Sequence, residues 1–261
     1  MEKKQCGKGG GVTYPKGFLA SGMHSGIKTS KVNDTALLFS SAPCTAVGTF
    51  TTNLFKSYSL LWSLKNIKNP IYAVIVNSGN ANTCNGRENY NHTRLIAEEL
   101  ADRLKVKPGS VLVASTGIIG KPLPYKKILD VLPYLISRMS IDNHAEAAKG
   151  IMTTDRVIKE VQVDTGISGR HKEVVIGGMA KGAGMINPCM ATMLGFITTD
   201  AVIDRDALQS ALRQAVEDCS QVLARGLHLG QQALALGLCL PQWRDIGGDQ
   251  HCAGDAALGI S

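Results

Sequence analysis

One glycine-rich segment of this 261-residue chain contains a threonine that is a candidate nucleophile. Lys181–Leu194 runs through Met190-Ala191-Thr192 into an apolar stretch, so the Thr192 hydroxyl stands at the start of an expected strand. Attack of that hydroxyl on the Ala191–Thr192 peptide would give an ester by an N→O acyl shift, and hydrolysis of the ester would cut the chain. Thr192 would then carry a free α-amino group, whose reference pKa of about 7.7–8.0 suits a base for its own hydroxyl. The alternative is an ordinary threonine that starts a strand, and the residues of this segment alone favour that alternative.

Other motifs add little when each is taken singly. Three more segments are dense in Gly, Ser, Thr and Asn, and each is typical of a turn: Gly17–Lys28, Val76–Asn82 and Ala114–Gly120. The sequence contains no HExxH, no GxxxxGK[ST] and no GxSxG, since the residues from Gly22 to Gly26 have the wrong spacing for a nucleophile elbow. The six histidines show no metal-ligand spacing, so we predict no metal site.

The elements that must position these segments follow a β-α-β-α order, which favours a layered α/β domain. Short runs of β-branched residues predict strands, and apolar residues at helical spacing predict helices. The first four are a strand at 72–77, a helix at 93–104, a strand at 111–115 and a helix at 128–139. A helix capped by Asp142 should follow, then partly antiparallel strands at 160–164, 173–177 and 193–198, and a helix at 204–219 capped by Asp204.

Composition excludes several classes of protein. The formal net charge is +7, but residues 1–181 carry +11 and residues 182–261 carry −4. The lysines are dispersed and aromatic residues make up only 5%, which argues against a nucleic-acid-binding protein. No apolar run reaches the ~18–20 residues of a membrane span. No secretory signal is visible, and the seven scattered cysteines predict reduced thiols in a cytoplasmic protein.

Long segments together resemble the glutamate N-acetyltransferase/ornithine acetyltransferase family of arginine biosynthesis. They occur in family order at residues 17–28, 34–53 (DTALLFSSAPCTAVGTFTTN), 73–82 (AVIVNSGNAN), 111–124 (VLVASTGIIGKPLP), 151–155 (IMTTD) and 181–201 (KGAGMINPCMATMLGFITTDA). The resemblance implies self-cleavage between Ala191 and Thr192, with Thr192 as the nucleophile that carries the acetyl group. It implies that Thr116 and Gly117 form the oxyanion hole.

The resemblance also implies substrate contacts and a mechanism. Lys181 and a threonine of the IMTTD segment, for which we favour Thr154, would contact substrate, and a lysine suits an amino-acid carboxylate. N-acetylornithine would acylate Thr192, ornithine would leave, and glutamate would take the acetyl group in a ping-pong reaction. Some family members also use acetyl-CoA. No metal or organic cofactor is expected, and the implied assembly is an α2β2 heterotetramer with a layered α/β sandwich fold.

The resemblance stops near Cys219. We expect a first chain at 1–191, the start of a second chain at 192–219, and an aberrant tail at 220–261 that contains no Lys, Phe or Tyr. The abrupt change predicts a frameshift with a premature stop, so that the second chain would be incomplete. Two alternatives follow: a truncated, inactive family member without catalysis, and an aminopeptidase-like hydrolase that uses the same N-terminal nucleophile.

Overall fold

The computed structural model describes residues 9–168, 173–182, 193–226 and 233–239. Its helices are α1 (Tyr58–Asn66), α2 (Glu88–Arg103), α3 (Tyr125–Ser137), α4 (His144–Ile151) and α5 (Arg205–Gly226). Its strands are β1 (Phe18–Met23), β2 (Thr35–Thr49), β3 (Ile71–Asn80), β4 (Val111–Ile118), β5 (Lys159–Ser168), β6 (Glu173–Lys181), β7 (Met193–Thr199) and β8 (Ala233–Cys239). The α/β architecture predicted from the sequence is confirmed.

The long strand β2 joins two groups of strands. Its first part pairs with β1 and β3, and its last five residues, Thr45–Thr49, pair with β8. The strand order is β4-β3-β2-β8-β7-β6-β5, with β1 paired to β2 beside this path. The pairs β3–β4 and β7–β8 are parallel, whereas β5, β6 and β7 run antiparallel as the sequence predicts.

Two apolar clusters lie on opposite faces of β3 and β4, so both faces of these strands are buried. Side chains of a strand alternate between faces, and Ala73 and Ile75 join one cluster while Val74 and Val76 join the other. The first cluster is covered by α1, α2 and α3. The second is covered by α4 and by strands β6 and β7, including Phe196.

Two helix starts test the predicted caps. Asp204 accepts hydrogen bonds from the amides of Asp206 and Ala207 at 2.9 and 3.1 Å, so it caps α5 as predicted. The predicted cap of α4 is wrong: α4 begins one residue later, after Asn143, and the Asp142 amide instead donates to Ser140 Oγ. None of the helices in the described ranges is long and apolar enough to cross a membrane.

The stretch after Cys219 contains regular structure that the sequence does not predict. Helix α5 continues to Gly226, and residues 233–239 form β8 between β2 and β7. A strand that pairs on both edges is held through backbone hydrogen bonds, so it requires no alternation of side chains. Residues 231–240 show neither strand-like alternation nor a helical stripe of apolar residues, and this lack of pattern does not exclude a strand.

Candidate functional site

The predicted oxyanion pair lies where β4 runs against the end of β3. Thr116 is buried and Gly117 is exposed, and they pair in parallel with Ser78 and Gly79. Gly117 has a φ of +134°, and a Cβ placed on it would lie 2.4 Å from the carbonyl carbon of Gly79. Only glycine fits this position, because any side chain would meet backbone. The backbone of Gly117 is thereby held open to solvent at a strand end.

A buried hydrogen-bond network supports this pair from behind. Ser115 Oγ donates to Asn77 Oδ1 at 2.6 Å and lies 2.6 Å from Ser59 Oγ. The Asn82 amide donates to Ser59 Oγ at 3.0 Å and to Thr93 Oγ1 at 2.7 Å. Asn82 also adopts a φ of +53°, a conformation that asparagine tolerates better than most residues. The network ties α1, α2, β3 and β4 together at Ser115, the residue before Thr116, and so holds the end of β4 in place.

Lys181 ends β6 as a buried cation with a neutral partner. It is 5% exposed, and its Nζ donates to Thr153 Oγ1 at 3.1 Å. Burial lowers the pKa of Lys181; Asp155 opposes that shift, and Lys28 and Lys159 add to it. Binding of an anion next to a buried ammonium group stabilises its charged form. The position therefore suits recognition of a carboxylate.

Asp155 connects the residues around this lysine. Its carboxylate is fully buried and accepts from Lys159 Nζ and, at 2.9 Å, from the backbone N–H of Gly182. Burial alone would raise the pKa of Asp155, but the bonds from Lys159 and Gly182 outweigh it and the pKa is lowered. Asp155 is thus a fixed negative charge that orders the end of β6.

A second buried carboxylate shapes the loop between β1 and β2. Asp34 accepts from the N–H groups of Ser25, Ile27 and Lys28 at 2.6, 2.9 and 3.0 Å, and from Ser25 Oγ at 2.7 Å. Burial opposes its ionisation, yet these hydrogen bonds, together with His24, lower the pKa of Asp34. The loop is therefore wrapped around an ionised carboxylate. Ile27 and Lys28 lie beside Gly79, because a Cβ built on Gly79 would lie 2.9 Å from Ile27 Cγ2 and 3.2 Å from Lys28 Cγ.

The contacts form one continuous path between the two halves of the site. Gly79 touches Gly117 on one side and Lys28 on the other. Ser78 Oγ donates to the carbonyl of Gly150 near the end of α4 at 2.6 Å, and α4 leads directly into the segment that contacts Lys181. The strand ends and the α4 terminus thus assemble a polar region from residues far apart in sequence.

The remaining predicted site residues are the cleavage pair and the threonine next to Lys181. Ala191 and Thr192, the predicted cleavage pair, lie outside the described residues. Met193, the next residue in the chain, begins β7 and packs on Gly182. A Cβ built on Gly182 would lie 3.4 Å from Met193 Cγ. Thr154 is exposed, and it is the adjacent Thr153 that bonds Lys181.

Sequence reasoning missed three residues that order this region, Lys28, Asp34 and Asp155, and of the two threonines in the IMTTD segment it favoured Thr154 over Thr153. All of these residues fall in segments that carry the family resemblance, so the segments themselves were the signal, but residue types alone did not single them out. In the parts of the chain that are described, no group of three or more His, Cys, Asp or Glu side chains is arranged to hold a metal ion.

Comparisons with known proteins agree with this architecture. The model of the ArgJ family matches residues 19–223. The arginine biosynthesis bifunctional protein ArgJ 1 of Clostridium acetobutylicum is 45% identical over 208 residues, which cover 79% of this chain and 50% of that protein. The chain spans about half the length of the curated relatives it matches.

Solved structures share the fold. Ornithine acetyltransferase from Mycobacterium tuberculosis, complexed with ornithine, is 36% identical with a TM-score of 0.62, covering 70% of this chain and 96% of that one. An L-aminopeptidase D-Ala-esterase/amidase from Ochrobactrum anthropi, described as a variant of the Ntn hydrolase fold, covers 93% of this chain and 77% of that one. It has a TM-score of 0.53 at 10% identity, which bears on the fold alone. By the extent of the family match, the chain belongs to the ArgJ family.

Proposed function

We propose that this chain builds the acyl-transfer site of an ornithine acetyltransferase, which moves the acetyl group of N-acetylornithine to glutamate. The observation that carries the proposal is the buried ammonium of Lys181 beside Gly182 and Met193, which flank the segment that contains Thr192. Membership of the ArgJ family supports the same reaction. The ornithine bound to the Mycobacterium tuberculosis relative supports an amino acid as ligand.

The first half-reaction begins after cleavage of the Ala191–Thr192 peptide. The freed α-amino group of Thr192 takes the proton of its own hydroxyl, and Oγ1 attacks the acetyl carbonyl of N-acetylornithine. The carbonyl oxygen becomes an oxyanion, for which Thr116 and Gly117 at the end of β4 would provide donors; loss of one such donor typically costs ~10²–10³ in rate. The C–N bond then breaks, the amine of ornithine takes up the proton, and the acetyl group stays on Thr192 as an ester.

The second half-reaction uses the same groups in reverse. The amine of glutamate attacks the ester carbonyl, the C–O bond breaks, and the Thr192 hydroxyl regains its proton. N-acetylglutamate leaves with the acetyl group, so atoms and charges balance over the cycle. Acetyl-CoA would enter at the first step by the same chemistry, with its thiol as the leaving group.

Lys181 would bind both substrates through the group that they share. N-acetylornithine and glutamate each carry an α-carboxylate, and a buried lysine whose pKa is lowered by burial regains a counter-ion when a carboxylate binds. Thr154 would hydrogen-bond the same ligand; its exposure and its position next to Thr153, which contacts Lys181, support this role. Recognition would therefore involve an anion-binding corner that both substrates share.

The proposal extends to processing and assembly. Residues 1–191 and the part that starts at Thr192 would form two chains of an α2β2 assembly in the cytoplasm, without a metal or organic cofactor. Residues 220–261 would be a tail without family resemblance, and the family match to residue 223 supports a boundary in that region.

Transfer of label tests the proposal. The purified chain is incubated with N-acetylornithine labelled in the acetyl group and with glutamate, and labelled N-acetylglutamate is measured against Thr192→Ala. We expect transfer by the wild type and none by the variant. Release of labelled acetate without transfer would favour the aminopeptidase-like hydrolase, and absence of both products would favour the inactive alternative.

A further inference from the structure

The ammonium of Lys28 binds the backbone at the C-terminal end of α4. Its Nζ donates to the carbonyl of Met152 at 2.7 Å and to the carbonyl of Asn33 at 3.0 Å. Met152 is the C-cap that follows Ile151, the last residue of α4, and its backbone is extended, so its carbonyl has no partner within the helix and accepts from the Lys28 ammonium. One of these charge-assisted hydrogen bonds therefore holds the backbone one residue before Thr153, and the other ties Lys28 to the segment that leads into β2.

The stem of the same side chain lies on the opposite half of the site. A Cβ on Gly79 would lie 3.2 Å from Lys28 Cγ, and the backbone of Gly79 contacts Gly117. The amide of Lys28 is itself held by the buried Asp34 carboxylate at 3.0 Å. Lys28 is thus fixed at its base, packed along its stem, and bonded at its head to the segment that carries Thr153.

The charge of Lys28 also reaches Lys181. Burial lowers the pKa of Lys28, and the charges of Asp34 and Asp155 oppose that shift. The positive charge of Lys28 in turn contributes to the lowered pKa of Lys181, together with burial and Lys159 and against Asp155. Removal of the Lys28 charge should therefore raise the pKa of Lys181.

We infer that Lys28 is a positioning residue of the acyl-transfer site: it holds Met152 so that the Thr153 hydroxyl receives the hydrogen bond of Lys181. The role rests on the proposed function for its ligand, an amino-acid carboxylate at Lys181. No local pattern indicates it, because Lys28 and Met152 are 124 residues apart.

Lys28→Met tests the inference, since it keeps the stem and removes the charge and the donors. The matched control is Lys31→Met, an exposed lysine of the same loop. The KM and kcat for N-acetyl-L-ornithine are measured in both, and the side-chain ammonium of Lys181 is titrated by NMR with isotope-labelled lysine. We expect Lys28→Met to raise KM by about tenfold, with the larger part of the loss in KM, and to move the Lys181 titration to higher pH. Lys31→Met should change neither, and Lys28→Arg should restore both.

A double variant shows whether Lys28 acts through Thr153. If it does, Lys28→Met combined with Thr153→Val raises KM no further than the more affected single variant. Additive effects, or an unchanged KM and Lys181 titration in folded Lys28→Met, would overturn the inference. If Lys28→Met does not fold, Lys28→Gln, which keeps an N–H donor, is judged by the same criteria. Should the wild type not use N-acetyl-L-ornithine, the proposed substrate fails, and unfolding free energies decide the positioning role: it holds if the losses of stability in Lys28→Met and Thr153→Val are less than additive in the double variant, and it fails if they add.

Discussion

Gly117 and Gly79 touch backbone to backbone at the edge where β3 and β4 end, with room for no Cβ on Gly117. The contact sets the direction of the Gly117 peptide next to the buried Thr116. An oxyanion hole depends on such preorganisation, because its donors must point at the developing charge before the reaction begins.

Gly117→Ala should therefore damage both stability and catalysis. A Cβ would meet the Gly79 backbone at a φ of +134°, whereas Gly166, at a φ of +68°, has nothing within 4 Å of a built Cβ. Gly166→Ala should cost about 1–2 kcal/mol for the left-handed backbone alone. Gly117→Ala should cost at least about 1 kcal/mol more because of the steric overlap, and acyl transfer should fall by ~10² or more. Chemical denaturation compares the two variants; equal losses would mean that the close contact is absent.

Two adjacent threonines separate a structural role from a ligand-binding one. Thr153→Val removes the acceptor of the Lys181 ammonium, and leaving this buried donor without a partner should cost about 1–3 kcal/mol of unfolding free energy. Thr154→Val, at an exposed position, should change stability by less than about 0.5 kcal/mol. If Thr154 contacts substrate, its variant raises KM with stability intact. A stable Thr153→Val protein with an unchanged KM would argue against the Lys181 contact.

Acid sensitivity should depend on Asp155. The folded-state pKa of this carboxyl is lowered, because the bonds from Lys159 and Gly182 outweigh burial. Below the unfolded pKa of about 3.9 the unfolded chain takes up a proton that the folded chain does not, so stability falls as pH decreases through this window. Asp34 acts in the same direction.

Asp155→Asn should therefore lower stability at neutral pH and flatten its decline below about pH 4. Asp102→Asn, at an exposed carboxylate of α2, is the matched control and should leave the acid slope unchanged. Unfolding free energies from urea titrations between neutral and acidic pH supply the measurement. An identical acid slope in Asp155→Asn and wild type would show that Asp155 is not held ionised by its neighbours.

The β3–α2–β4 unit was accessible from the sequence because its signals are local. Tyr72–Asn77 is a continuous apolar run, and Ile96 and Leu100 lie one helical turn apart on the buried face of α2. Strand β2 was not predicted as one element, since it is buried on both faces at first and then mixes small and polar residues. Strand β8 is likewise defined by its two neighbours rather than by its own pattern.

The site was predictable only as a set of segments. Long motifs indicated which loops matter, but the contacts among Lys28, Met152, Thr153 and Lys181 join residues that tertiary folding alone brings together. Even the choice between Thr153 and Thr154 needed the backbone, because neighbouring residues on an irregular segment point in directions that spacing does not determine.

The most direct test of the acyl-transfer account is the intact mass of the chain after incubation with N-acetyl-L-ornithine alone and denaturation in acid. The account predicts two fragments, one ending at Ala191 and one beginning at Thr192, with a single acetyl group on the second. Addition of glutamate should remove that group, and Thr192→Ala should remain uncut and unacetylated. One uncut, unmodified wild-type chain, or an acetyl group on any other residue, would contradict the account.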